Sequence, residues 1–130
     1  MISWGLWGWV ALAGGLLPWQ SADQTLHKIE TALRQGDART LAAYFAPQVE
    51  IFINEGPRIY SSTQGQYVMK EFFEKNPPTT FTLFHKGRSE DMLYAIGSYV
   101  STEGKWDVSF FTRFQGGRFL IHQLRFEPVE

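Results

Sequence analysis

The chain is 130 residues long, enough for one domain around one hydrophobic core. It is 44% hydrophobic and 19% charged, with eleven Phe, five Tyr and five Trp, which excludes a disordered chain and points to a core of large rings. Twelve basic against thirteen acidic residues leave a net charge of -1 and no concentrated positive surface for a nucleic-acid backbone, and without cysteine there are no disulfides, thiol catalysis or cysteine-held metals.

Ile2 to Trp19 carry one hydroxyl side chain, Ser3, and no charge. Such a run suits a signal-peptide core and is just long enough to span a bilayer. Trp4, Trp7 and Trp9 interleave with Gly5 and Gly8 in a pattern suited to a membrane interface. No Lys or Arg precedes the run, and the stretch Trp19-Gln20-Ser21-Ala22 lacks the small residue expected two positions before a cleavage site. Residues 1–21 are therefore read as a leader that directs export to the periplasm or cell surface, and residues 22–130 as the single folded domain. An uncleaved membrane anchor, an apolar strand of the fold and a misplaced start remain as alternatives, and any contact with a membrane is expected through the leader alone.

Ser21 and Gln24 have capping-box spacing, and Leu26, Ile29 and Leu33 recur at helical intervals until Gly36. Asp37 caps a second short helix with Leu41, Tyr44 and Phe45 on its apolar side, stopped by Pro47. Val49, Ile51 and Ile53 alternate as a strand, Asn54-Glu55-Gly56-Pro57 turns the chain, and Arg58 to Tyr60 returns. A third helix, capped by Ser61 with Gln64 or by Ser62, buries Val68, Met69, Phe72 and Phe73 and ends at Asn76-Pro77-Pro78. From Thr79 the period is two, with strands over Thr80–Lys86, Met92–Thr102, Trp106–Phe114 and Arg118–Glu127. Glu103-Gly104 and Gln115-Gly116-Gly117 join the last three as an antiparallel meander. Phe110 and Phe111, and likewise Leu120 and Ile121, must point to opposite faces, so both faces of the sheet carry apolar side chains. Helices can cover one. The other requires a partner subunit, a curl of the sheet or a ligand. Gly97, in mid-strand, marks a place for a bulge or bend.

The segments Ala32-Leu33-Arg34-Gln35-Gly36-Asp37-Ala38, Leu41-Ala42-Ala43-Tyr44-Phe45, Tyr60-Ser61 with Gln64, Phe72-Phe73-Glu74-Lys75-Asn76-Pro77-Pro78, Phe84-His85-Lys86-Gly87, Tyr94-Ala95-Ile96-Gly97 and Ile121-His122-Gln123-Leu124-Arg125-Phe126-Glu127 run in this order. Together they resemble domain of unknown function 4783, a family of exported proteins common in Bacteroidetes, within the nuclear transport factor 2-like (NTF2-like) superfamily. The resemblance covers Leu26 to Glu127. It implies an α+β cone, N-terminal helices on a strongly curved antiparallel sheet, with export and a pocket in the cone. Relatives in the superfamily use that pocket for isomerisation, dehydration or epoxide opening, and many only dimerise or bind. The deep acid or base of the catalytic members has no counterpart that can be placed on a residue of this chain.

Read residue by residue, the candidates for acid-base work are His85, which shares strand parity with Phe81 and Leu83; His122, with Leu120, Leu124 and Phe126; and Asp107, with Ser109, Phe111 and Arg113. His27 lies at the edge of the first helix's buried stripe. Tyr44, Tyr60, Tyr67, Phe73, Tyr94 and Tyr99 are candidates to line an apolar pocket, with Arg125, grouped with Phe119, Ile121 and Gln123, closing one end over an internal carboxylate or an anionic ligand. There is no His-x-His or Glu-x-x-His spacing and no phosphate-cradling glycine loop, so neither metal nor cofactor is expected. The first functional reading is a non-enzymatic exported domain that binds a small apolar or amphipathic ligand, or a partner protein, in the cone or on the sheet face. The alternatives are a small isomerase or dehydratase using His85 or Asp107, and a structural homodimer through the sheet face. An open cavity of about 300 Å³ or more serves a ligand, and a cone filled by its own rings sinks the enzyme.

Overall fold

The computed structural model describes residues 18–130, and most of the expected leader, residues 1–17, lies outside them. The first helix, α1 (Pro18–Gln35), starts three residues before the expected cap at Ser21, so a leader ending at residue 21 would take the helix's first turn with it. Proline suits that turn because the amide hydrogen it lacks has no intrahelical acceptor there. At the other end Gly36 adopts a φ of 66°, and the amides of Gly36 and Asp37 return to the carbonyls of Leu33 and Ala32. Asp37 then caps α2 (Ala38–Ala42), its carboxylate accepting from the backbone amide and the hydroxyl of Thr40 at 3.0 and 2.6 Å. These hydrogen bonds hold the carboxyl below its ordinary range.

The second helix is shorter than its apolar pattern suggests. It ends at Ala42, and β1 (Phe45–Ile53) takes in Phe45 and Pro47, which were expected to close the helix. Pro47 falls in the irregular stretch between Phe45 and Glu50, where a missing ladder donor is tolerated. Asn54, at a φ of 61°, turns β1 into β2 (Pro57–Ser61). A complete capping box opens α3 (Ser62–Lys75): the Ser61 hydroxyl accepts from the Gln64 amide at 3.2 Å, and the Gln64 side chain accepts from the Ser61 amide at 3.0 Å.

The remaining chain forms β3 (Pro78–Arg88), β4 (Met92–Ser101), β5 (Gly104–Gln115) and β6 (Arg118–Pro128); β3 and β5 run one or two residues beyond their expected ends, β6 one residue beyond its expected end, and β4 stops one residue short. They join β1 and β2 in one sheet of order β2-β1-β6-β5-β4-β3, with β1 and β6 parallel and every other pair antiparallel. The sheet curves without closing, which leaves β2 and β3 as edges. All three helices pack on one face. Leu26, Ile29 and Leu33 of α1, Leu41 of α2, and Met69, Phe72 and Phe73 of α3 meet Val49, Ile51, Phe81, Leu93, Ala95, Tyr99, Val108, Phe110, Phe119, Ile121, Leu124 and Phe126 of the sheet. This is the α+β, NTF2-like architecture expected. Gly97 belongs to the bend: it pairs with Leu83, where β3 inserts Phe84 as an extra residue, and a Cβ there would stand 2.5 Å from the Thr82 carbonyl oxygen.

Candidate functional site

The cone interior is occupied by its own side chains. Phe72 projects from α3 into the hollow of the sheet, with ring centroids 4.7 Å from Phe126, 5.1 Å from Trp106, 5.5 Å from Tyr99 and 6.0 Å from Phe73. The Tyr99 hydroxyl, carried into this cluster, donates to the carbonyl oxygen of Asn76 at the end of α3, and burial pushes its pKa well above the ordinary tyrosine value. Among the described residues no carboxylate, imidazole, lysine or arginine is buried. Of the side chains that serve in acid-base chemistry, the ring cluster holds the Tyr99 phenol, whose proton is given to the Asn76 carbonyl oxygen.

A cleft of about 230 Å³ beside α1 and β3 is lined by Leu26, Glu30, Leu83 and His85 among others, and two larger clefts open on the helical side. One, of about 460 Å³, lies between α2 and α3 and is lined by Arg39, Gln66, Tyr67, Lys70, Phe73 and Glu74 among others. The other, of about 330 Å³, lies between the β1–β2 hairpin and α3, with Ile53, Asn54, Tyr60, Val68 and Phe72 in its wall and the Lys75–Glu71 ion pair at its rim. Its base is fixed by the Trp106 indole N–H, which donates to the Asn54 side-chain oxygen at 3.2 Å. The aromatic candidates are thus divided. Tyr67 and Phe73 belong to the first cleft, Tyr60 to the second and Tyr99 to the core, while Tyr44 stacks under the Arg118 guanidinium, 5.4 Å from its ring centre.

Tyr94 and Arg125 lie on the far side of the sheet, and strand bulges explain why parity misplaces their neighbours. The extra residue Phe84 in β3 turns His85 away from Phe81 and onto the outer face opposite Ile96, where its Nε2 is 3.3 Å from the Tyr94 hydroxyl. In β6 the register steps from Ile121 to Gln123, so Phe119, Ile121, Leu124 and Phe126 all face inward while Gln123 and Arg125 face outward. Arg125 therefore closes no end of the cone. It lies 4.6 Å from the centre of the Phe52 ring and pairs with Glu127 at 2.7 Å. His122, the extra residue, is half-buried against Gln115; desolvation and then the Arg113 charge lower its pKa. Asp107 is exposed on the outer face between Ser98 and Glu127. His85 and Asp107 stand two strands apart, about 9.5 Å, and one row apart along them, so they do not form a pair.

A family model for a domain of unknown function, DUF4783, matches residues 26–127. The chain belongs to the DUF4783 family. Solved DUF4783 structures have the same fold: one from Bacteroides uniformis superposes with a TM-score of 0.78 at 21% identity over 80% of this chain and 96% of its own, and one from Bacteroides ovatus with 0.76 at 25% over 79% and 94%. An NTF2-like protein of unknown function from Shewanella baltica superposes at 0.67, with 11% identity, over 86% of this chain and 94% of its own. No curated protein matches.

In this DUF4783 domain the outer sheet face gathers apolar side chains from three strands. Phe52, Ile96 and Phe111 lie there beside Tyr94, with Tyr94 and Ile96 about 40% exposed. The Gln123 amide donates to Glu50 at 2.8 Å, and Arg113 lies 5.4 Å from the centre of the Phe111 ring. The clefts likewise enlist Asn54, Glu71 and Lys75. For Asn54 the turn motif was the available signal, since asparagine tolerates positive φ. Among the described residues no three metal-binding side chains converge, and no helix is long and apolar enough to cross a membrane.

Proposed function

We propose that this DUF4783 chain is a non-enzymatic binding domain that engages a protein partner through the outer face of its sheet. The observation that carries the reading is the group of Tyr94, Ile96 and Phe111, with Phe52 beyond Arg125, on a face that no described helix covers and beside the charges of Arg113, Glu50 and Asp107. Apolar rings within a charged rim are the composition of a recognition surface. The acid-base alternative loses support because His85 and Asp107 sit apart on that open face and the cone interior is packed with rings. Residues 1–21 serve export in this reading, and N-terminal sequencing of the mature protein, with a first residue near Ala22, tests that part.

A photoactivatable cross-linking residue in place of Phe111, compared with one in place of Tyr67 on α3, tests the surface. Adducts form at position 111 in the producing cells and not at position 67. Absence of any adduct at 111, with adducts at 67, overturns the reading. A second reading, a small apolar ligand in the cleft beside Tyr60, rests on its volume of about 330 Å³, at the lower limit of useful ligand pockets. A Tyr60→Ala change that displaces bound lipid or aromatic material from the purified protein would favour it.

A further inference from the structure

The cleft between α2 and α3 holds charged groups that the fold does not use. Where a glutamate precedes its cation by one helical turn, the pair forms: Glu71 with Lys75 on α3 at 2.9 Å and Glu30 with Arg34 on α1 at 2.8 Å. That order also suits the helix dipole. Lys70 and Glu74 have the same spacing in reverse order, and neither is in an ion pair among the described residues. Both line the cleft. Arg39, on the α2 side, is likewise outside any ion pair among the described residues, and the neighbouring Asp37 has both carboxylate oxygens accepting from Thr40. Between these charges stands Tyr67. It is 67% exposed, whereas Val68, Met69, Phe72 and Phe73 of the same helix turn toward the core. The cleft, about 460 Å³, thus offers a flat ring open to solvent, two uncommitted cations, a carboxylate and the Gln66 amide above a floor formed by Phe73.

We propose that this cleft binds a saccharide bearing a carboxylate, a uronic-acid ring stacked on Tyr67. The site is on the helical side and stands apart from the outer sheet face, so it does not depend on the reading of that face. The positively polarised C–H groups of a sugar ring suit the negative face of an aromatic ring. Sugar hydroxyls both donate and accept; the Gln66 amide does both in return, and Glu74 accepts. The sugar carboxylate matches the planar fork of Arg39, with Lys70 as a second cation. A purely apolar ligand fits poorly, since apart from Ala38 and the two rings every lining side chain is polar. A bare anion would leave Tyr67 unused. The volume lies above the lower limit of about 300 Å³ for a useful pocket. Each hydrogen bond here replaces one to water and gains little, so binding is weak, with a dissociation constant of about 1 mM.

Titration of the protein, purified as its cells produce it, tests the assignment by amide NMR, with trimers of galacturonate, glucuronate and mannuronate against a neutral glucose trimer. At least one uronate trimer shifts the amides of Arg39, Gln66, Tyr67 and Lys70, and the glucose trimer binds at least about tenfold more weakly. Tyr67→Ala lowers uronate affinity at least about tenfold, and Arg39→Gln brings it down to that of the neutral trimer. Both side chains are exposed, so the circular dichroism of each variant stays that of the parent. No binding by any uronate trimer at about 10 mM overturns the proposal, as does an affinity indifferent to Tyr67→Ala. Acetate reproducing the same shifts at the same concentration also overturns it, because the cleft is then a bare anion site. None of these outcomes bears on cross-linking at position 111, which tests the outer face by itself.

Discussion

Replacing Phe72 with alanine removes the ring against which four others pack. Phe72 is 5% exposed, and its neighbours Phe126, Trp106, Tyr99 and Phe73 lie 4.7–6.0 Å away between centroids. Truncating a buried Phe costs about 3–5 kcal/mol through lost transfer energy and the cavity left behind. Tilted and edge-on ring pairs add about 0.5–1.5 kcal/mol each beyond their area, which lifts this site from the lower end of that range to at least its middle, about 4 kcal/mol. In a domain slightly over 100 residues long, that lowers the melting temperature by about 16 °C. Urea unfolding followed by fluorescence measures the loss, with an unchanged denaturant slope showing that the same surface is still exposed. The space left by Phe72→Ala is lined by rings and adjoins the cleft beside Tyr60, so benzene raises the stability of the variant more than that of the parent. A loss below about 1.5 kcal/mol, or equal stabilisation of the parent by benzene, refutes the filled cone.

Tyr99→Phe strands the Asn76 carbonyl oxygen and costs about 1–2 kcal/mol by the same urea assay. It also alters the alkaline limb of stability. Burial raises the folded phenol's pKa, so the folded state keeps a proton that the unfolded chain releases; this contribution is intact below about pH 10 and is lost as pH rises toward the raised value, and the phenylalanine variant lacks that decline. Gly97→Ala forces its Cβ against the Thr82 carbonyl oxygen, a backbone atom fixed in the ladder, and destabilises by about 1–3 kcal/mol in thermal unfolding. Ser61→Ala removes one arm of the α3 capping box and costs about 1 kcal/mol; a loss indistinguishable from zero would show that Gln64 alone holds the helix start.

The extent to which the fold was legible follows from where local chemistry decides. The β4–β5–β6 meander could be read because Glu103-Gly104 and Gln115-Gly116-Gly117 mark its turns, and α3 because Ser61 and Gln64 open it and two prolines close it. Tyr44 and Phe45 misled at α2. Their spacing suits a helix, but pairing with β6 claims Phe45 for the sheet. For the candidate site, parity was reliable on β5, which runs without an inserted residue, so Asp107, Ser109, Phe111 and Arg113 share a face as expected. It failed on β3 and β6. Phe84 and His122 each insert one residue, and nothing local distinguishes an inserted residue from a paired one; the flip of His85 and Arg125 to the outer face is decided by tertiary fit.

The last strand made is not the last in space. β6 lies between β1, which it joins in parallel, and β5, so the N-terminal and C-terminal halves of the sheet are connected through the final eleven-residue strand. Until Arg118–Pro128 has left the ribosome, β1 and β2 have no strand joining them to the meander. The sheet is therefore completed only once β6 is in place between its two halves, a contact distant in sequence. Shortening it at the C-terminus by one strand divides the sheet in the middle, whereas losing an edge strand would only narrow it.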